Sequence, residues 1–283
     1  MIFYLRFTTQ YVVLCKQMQT STLTYNYVDE YLRKIQSKGR YSVTLAELIT
    51  QFSASKKAIL QNIYRLKGKN RLAQVRKEFY VVVPPQYSDR GMVPPTLFIA
   101  DMMSFLNRDY YVALLSAAAL HGAGHQQPME FQVITKKPPL RDIQNQKLNI
   151  RFITKSNWKQ DQVMEKKTEA GYLKVSTPEL TTFDLVHHHQ KIGGLNRIIP
   201  ILEELAEDVK SSLLTRVAKN QKIPDIQRLG YLFDELGEDQ LSDALFRYLG
   251  NKSKGISLSL NHRDRTGTMN EKWKVVVNTE LDF

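Results

Sequence analysis

Lys56, Lys57, Gln61, Asn62 and Arg65 fall within ten residues, with Ser55 just before them. All carry hydrogen-bond donors and none carries a negative charge. Ammonium and guanidinium groups neutralise phosphate, and carboxamides match the edge of adenine. The chemistry is recognition of nucleic acid. It needs a helix that keeps a narrow apolar seam on one side and turns these donors outward on the other.

Other groupings could serve metals or catalysis, and they fare worse. His187, His188 and His189 are adjacent, and neighbours on a helix point about 100° apart. Three in a row therefore do not converge on one ion. His121 and His125 are separated by Gly122 and Gly124, and His262 stands alone. Glu179, Asp184 and the Gly193-Gly194 turn invite phosphoryl transfer. No phosphate-binding loop, dinucleotide fingerprint or nucleophile elbow accompanies them. Asp184 reads as a polar residue of a helix face. The single cysteine, Cys15, excludes a disulfide within the chain and any cysteine metal cluster. The sequence thus predicts no enzyme, no metal and no cofactor. Aromatic residues such as Tyr110, Phe183 and Phe233 sit at core spacing, which argues against a stacking platform for single strands.

The elements around the donors have the required order. Residues 25–36 place Tyr27, Val28, Tyr31, Leu32 and Ile35 at helical spacing, and Gly39 closes that helix. Thr44-Leu45-Ala46-Glu47 is a capping box that opens a second, short helix with Leu45, Leu48, Ile49 and Phe52 as its stripe. Ser53-Ala54-Ser55 makes a three-residue turn, and Ser55 caps a third helix over Lys56–Lys67. Ile59, Ile63 and Leu66 form its seam, and Gly68 is its expected C-cap. Leu72–Val75 and Phe79–Val83 read as a hairpin turning at Arg76-Lys77-Glu78. Helix, helix, turn, helix, hairpin is the order of a winged helix-turn-helix. On that reading Arg71, Arg76 and Lys77 lie on the wing, where they can track a phosphate backbone. Winged helices also serve as protein-interaction modules, and the placement of charge favours DNA.

That charge is concentrated. The 283 residues carry 40 Lys and Arg against 28 Asp and Glu, a net of +12 with a pI near 9.6. Residues 1–85 hold 14 basic and 4 acidic residues, and 86–283 hold 26 and 24. A second basic stretch, 136–167, has 9 basic against 3 acidic residues. From it Lys136, Lys137, Arg151 and Lys155 are the expected second basic surface. An excess of this kind points to a polyanionic partner. The composition is globular, no stretch is long and apolar enough to span a bilayer, and lone-cysteine usage fits a cytoplasmic protein. Residues 1–24 are an N-terminal extension that lacks the basic segment and cleavage site of a signal peptide. A start at Met18 would explain it.

The chain therefore reads as α+β in two parts: a winged helix-turn-helix over 25–85, a linker over 86–95 between Pro84-Pro85 and Pro94-Pro95, and a larger mixed domain over 96–283 with several helices around a small sheet. In that larger part 97–106 and 109–122 read as helices, and 131–135, 150–154 and 172–175 as strands. Pro178 opens a helix to about Gln190. Helices follow near 195–207, 209–220, 225–236 and 239–250, then a terminal strand pair at 256–260 and 273–277.

Three blocks of this larger part carry a resemblance. They are Asp109-Tyr110-Tyr111 through His121-Gly122, then Gln126-Gln127-Pro128 with the Phe131–Thr135 strand, and Val175-Ser176-Thr177-Pro178-Glu179 through Asp184-Leu185-Val186 and Gly193-Gly194-Leu195. With a basic winged helix in front, the sequence over about 25–250 resembles the AbiEi antitoxins, transcriptional regulators of toxin–antitoxin and abortive-infection (phage-defence) operons. The resemblance implies a repressor that binds operator repeats in double-stranded DNA upstream of its own operon. It implies a nucleotidyltransferase-like toxin encoded beside it, neutralised without a stable complex. The family's wing often has Gly at its tip, where this chain has Arg76-Lys77-Glu78-Phe79. Two alternatives stay open: an antitoxin that binds its toxin directly, and a nucleotide-using enzyme that modifies the toxin.

Overall fold

The structure is a computed structural model that describes residues 27–124, 128–259 and 266–282. The extension 1–24 with Cys15, and also His125, Gln126, Gln127 and His262, lie outside the described residues. The fold is α+β, and the chain divides into two compact units. One comprises residues up to Asn107 with Thr168–Gly171; the other comprises Arg108–Lys167 and Tyr172–Phe283.

The first unit begins with helix α1 (27–36), whose Val28, Leu32 and Ile35 are buried at a spacing of three and four. Strand β1 (Ser42–Thr44) leads into α2 (Leu45–Phe52) and α3 (Lys56–Gly68), and β2 (Leu72–Arg76) and β3 (Phe79–Val82) follow. The three strands form an antiparallel sheet in the order β1-β3-β2. Leu45 and Leu48 of α2, Ile59 and Ile63 of α3, and Leu72, Tyr80 and Val82 of the sheet close one core with α1. Each such side chain, fully buried, contributes roughly 1.5–3 kcal/mol. Tyr27 and Tyr31 meet the Phe52 ring edge-on at 4.5 and 5.5 Å, joining α1 to α2.

Two sequence expectations change here. Gly68 is the last residue of α3 rather than its cap, and Asn70 takes the left-handed conformation (φ 52°) that reverses the chain. Asn tolerates that region because its short amide bonds locally. Residues 86–95 are not a free linker either. Met92, Val93, Leu97, Phe98, Ile99, Met102 and Met103 are buried, α4 (Ile99–Phe105) belongs to the first unit, and Ser42 Oγ donates to Asp101 at 2.5 Å. The boundary falls after Asn107 because apolar residues continue well beyond the prolines.

The second unit is built on a six-stranded sheet in the order β6-β7-β5-β4-β9-β8. Its strands are β4 (Tyr110–Val112), β5 (Phe131–Thr135), β6 (Ile143–Asn145), β7 (Leu148–Thr154), β8 (Val163–Thr168) and β9 (Gly171–Ser176). β4 pairs antiparallel with β5 and parallel with β9, and β5 pairs parallel with β7. The helix expected over 109–122 is a strand followed by a helix, α5 (Leu114–His121). Tyr-Tyr-Val is a strand-forming triplet, buried in the middle of the sheet, and only the alanine-rich half is helical. β6 and β8 escaped the sequence reading because polar residues such as Gln144, Asn145, Glu165, Lys166 and Lys167 break their alternation.

Helices α6 (Pro178–His188), α7 (Leu195–Ala206), α8 (Ser211–Ala218), α9 (Ile223–Glu235) and α10 (Asp239–Leu249) follow. Thr177 Oγ1 caps α6 by accepting from Leu180 N at 3.3 Å, with Pro178 at the first helical position. A small sheet, β10 (Ile256–Ser257), β12 (Val275–Val277) and β11 (Thr268–Asn270), ends the described chain. It is joined to α9 by Trp273, fully buried. A Cβ at Gly230 of α9 would lie 2.1 Å from two ring carbons, so only glycine allows this approach. Among the described residues no helix is long and apolar enough to cross a membrane.

Candidate nucleic-acid interface

α3 starts where three residues of turn end. Ser53 takes a left-handed φ of 47°, and Ser55 Oγ accepts from Ala58 N at 3.3 Å. The helix turns Ile59 and Ile63 to the core and leaves Lys56, Lys57, Gln61 and Arg65 exposed. Its N-terminal N–H groups and two lysines make one end favourable to phosphate. The hairpin lies along it: Lys56 Nζ is 3.3 Å from Glu78 Oε1, and Lys67 Nζ donates to Gln74 Oε1 at 3.1 Å. Lys77 is exposed at the hairpin tip, beside Glu78 in the left-handed region (φ 61°). Glu78 thus takes at the turn the left-handed conformation that glycine adopts most readily. Its strain is offset by Leu45 N donating to Glu78 O at 2.9 Å, a bond from α2 to the turn.

The expected contact residues divide into two groups. Lys57 and Gln61 meet no partner among the described residues, and they share the exposed face with Lys56, Arg65 and Lys77. Asn62 is turned inward: Nδ2 donates to Tyr27 Oη at 3.2 Å and to Ala58 O at 3.0 Å. Arg71 is paired with Asp29 of α1 at 3.2 Å and is mostly buried, and Arg76 is half-buried. Asn62 and Arg71 therefore hold the unit together. Two residues on the outward face were missed. Leu60 is 40% exposed and Tyr64 is 79% exposed. Each follows a buried isoleucine by one position, about 100° round the helix, and that offset was readable in the sequence.

Glu47 fixes the supporting side. Its carboxylate accepts from Arg40 Nη1 at 2.7 Å and Tyr31 Oη at 2.6 Å, while its own N–H reaches Thr44 Oγ1 at 3.1 Å. Burial would raise its pKa. The bonds from Arg40 and Tyr31, the Arg40 charge and the Thr44 N–H outweigh that and hold it below the ordinary carboxylate value.

The second basic stretch behaves differently. Lys136 Nζ is 2.7 Å from Asp109 Oδ2 and lies 5.2 Å from the Trp158 ring centre. Arg151 Nε is 3.2 Å from Glu130, and its Nη1 donates to Lys191 O at 3.2 Å. Lys155 Nζ is 2.7 Å from Asp184 Oδ1, and Tyr111 Oη donates to Asp184 Oδ2 at 2.9 Å. Asp184 is 1% exposed. Burial, then the Asp184 charge, drives the Tyr111 hydroxyl well above its usual pKa. His188, one turn along α6, is pushed down to about 4 by burial. Of the four residues expected to form a second basic surface, Lys137 alone is exposed with no ion pair among the described residues. The other three neutralise acids that lie outside the basic stretch in sequence.

The histidine run separates as its spacing requires. His187 Nδ1 is 2.7 Å from Asp225 Oδ2, the His188 ring stands edge-on to His187 at 4.6 Å, and His189 Nδ1 donates to Val186 O at 2.7 Å. No group of three potential metal ligands occurs among the described residues.

Residues 111–235, from β4 to the end of α9, match the family model of the AbiEi antitoxin C-terminal domain. The chain carries an AbiEi antitoxin domain. The AbiEi domain contains the Tyr111–Asp184–Lys155 cluster, the Thr177-Pro178 cap and the Gly193-Gly194 turn, and its presence supports an antitoxin role in a toxin–antitoxin system. The crystal structure of the RV2827C protein from Mycobacterium tuberculosis shares the fold. It is 17% identical, its TM-score is 0.67, and the match covers 89% of this chain and 91% of that one. No curated protein sequence matches the chain.

Proposed function

We propose that this AbiEi antitoxin is a cytoplasmic, non-enzymatic transcriptional repressor whose first unit is a winged helix-turn-helix. It binds duplex DNA at operator repeats upstream of its own operon. The observation that carries the reading is the exposed face of α3, where Lys57, Gln61 and Arg65 stand opposite a seam of buried isoleucines. Gln61 and Arg65 suit base edges, Lys56, Lys57 and Lys77 suit phosphates, and Leu60 and Tyr64 offer apolar contact to thymine methyl groups. Repression follows from covering the promoter. The companion toxin is nucleotidyltransferase-like and is neutralised without a lasting complex. A mobility shift on the chain's own upstream DNA tests this. Wild type should bind specifically, more weakly at higher salt, and Lys57→Ala/Gln61→Ala/Arg65→Ala should lose specific binding. No specific shift by the folded protein would overturn the reading.

A second reading rests on the Asp184 cluster: a nucleotide-using centre that modifies the toxin. A buried carboxylate contacted by a lysine and a tyrosine, with a histidine one turn away, favours it. Metal-dependent nucleotide turnover lost in Asp184→Asn would support it. The ion pair and the tyrosine bond occupy both carboxylate oxygens, which favours a structural role.

A further inference from the structure

Helix α7 carries two charges against its own dipole. Arg197 stands in its first turn and Glu204 in its last, with no acid at the start and no base at the end. A helix favours acids at its N-terminus and bases at its C-terminus, so this arrangement costs stability. Pro200 is a second such cost. It lies inside the helix, where it removes the N–H that would bond Asn196 O. Neither DNA binding by α3 nor the Asp184 cluster accounts for these residues, and all three line one cavity.

The cavity has a volume of about 320 Å³ and lies within the second unit. That is the lower end of the range for small-molecule sites, roughly 300–1,000 Å³. Arg197, Pro200, Ile201 and Glu204 are three, four and seven positions apart, so they form one wall from a single face of α7. The rest of the lining comes from α5 and the chain after it: Leu115 and Ala123, both buried, with Gly124 and Pro128. Glu204 fastens the two sides, since its Oε2 accepts from Gly124 N at 2.6 Å. Arg197 is exposed and has no ion pair among the described residues. Its side chain lies against the Gly193-Gly194 turn. A Cβ at Gly193 would stand 2.7 Å from Arg197 Cδ and 3.3 Å from Nη1, so glycine leaves the guanidinium its place.

We propose that this cavity binds a small monocarboxylic acid with a compact apolar body. The carboxylate meets the Arg197 guanidinium, and the body covers Leu115, Ala123, Pro128, Pro200 and Ile201. A planar guanidinium presents paired N–H donors that match a carboxylate. In the first turn of α7 the helix dipole adds to its charge. Glu204, at the other end of the same face, disfavours further negative charge. The site therefore selects a monoanion over a phosphomonoester, which is mostly a dianion at neutral pH. The apolar lining in turn selects against an acid with no body to bury.

Calorimetric titration of the full chain near neutral pH tests this, with 3-phenylpropionate, 3-phenylpropanol and acetate as probes. 3-Phenylpropionate should bind at least about tenfold more tightly than the alcohol, which lacks the charge, and than acetate, which lacks the body. Arg197→Gln should bring the acid down to the level of the alcohol. That variant should unfold at the same temperature or higher, because a base has left the positive end of the helix. Pro200→Glu returns a helix former to α7 and sets a carboxylate one turn from Arg197. It should raise the unfolding temperature and weaken 3-phenylpropionate by about tenfold or more. Binding to surface lysines such as those of α3 would treat the two acids alike and ignore both substitutions. Equal affinity for the acid and the alcohol, equal affinity for the acid and acetate, no binding of 3-phenylpropionate, or unchanged binding in a folded Arg197→Gln protein overturns the proposal.

Discussion

The two basic stretches of this chain use like residues to opposite ends. Around α3 the positive charge outnumbers its acids: of the four acidic residues before position 86, Asp29 holds Arg33 and Arg71, Glu47 holds Arg40, and Glu78 holds Lys56. Lys57 and Lys77 remain on the surface. Of Lys136, Lys137, Arg151 and Lys155, three meet acids brought in from elsewhere, Asp109, Glu130 and Asp184. A local count of charge therefore measures a surface only when the fold supplies no partners from outside the count.

The contrast can be broken most severely at its buried end. Lys155→Met leaves Asp184 in the core with Tyr111 alone, and urea unfolding should show a loss of about 3–5 kcal/mol. Unchanged stability would mean that Lys155 is a surface cation after all. Acid unfolding comes next. His188 titrates near 4 in the fold against 6.5 in the free residue, so the unfolded chain takes up the proton first. Its contribution is intact above pH 6.5 and lost as pH falls from there towards 4, by about 3 kcal/mol at about 1.4 kcal/mol per unit. His121 and His189 are shifted in the same direction, so His188→Gln should shrink the drop without abolishing it.

Smaller effects sharpen the α3 side. Tyr64→Ala should weaken binding to upstream DNA by about tenfold and leave stability alone, because 79% of the residue is exposed. Replacing thymine by uracil in the operator should cost wild type more than it costs that variant. Lys57→Ala should lower the slope of log affinity against log salt by about 1, as expected for one lost phosphate contact. A slope that stays put would move Lys57 off the phosphate backbone.

Much of the first unit was legible because its signals are local. Ser55 as cap and Ile59 and Ile63 as seam lie within a few turns of one another. The inward partners of Asn62 and Arg71, Tyr27 and Asp29, were not legible because they sit some 35 to 45 positions earlier. The β4 strand was hidden by the alanine run that follows it. The Asp184 cluster joins positions 111, 155 and 184, and no spacing rule connects them.

The most direct measurement sets the two stretches side by side. Fluorescence anisotropy on labelled upstream duplex would compare Lys57→Ala/Gln61→Ala/Arg65→Ala with Lys136→Ala/Lys137→Ala/Arg151→Ala. The first should lose about 100-fold or more in affinity, and the second should stay within about threefold of wild type. Equal losses, or a larger loss in the second, would contradict the assignment of DNA binding to α3.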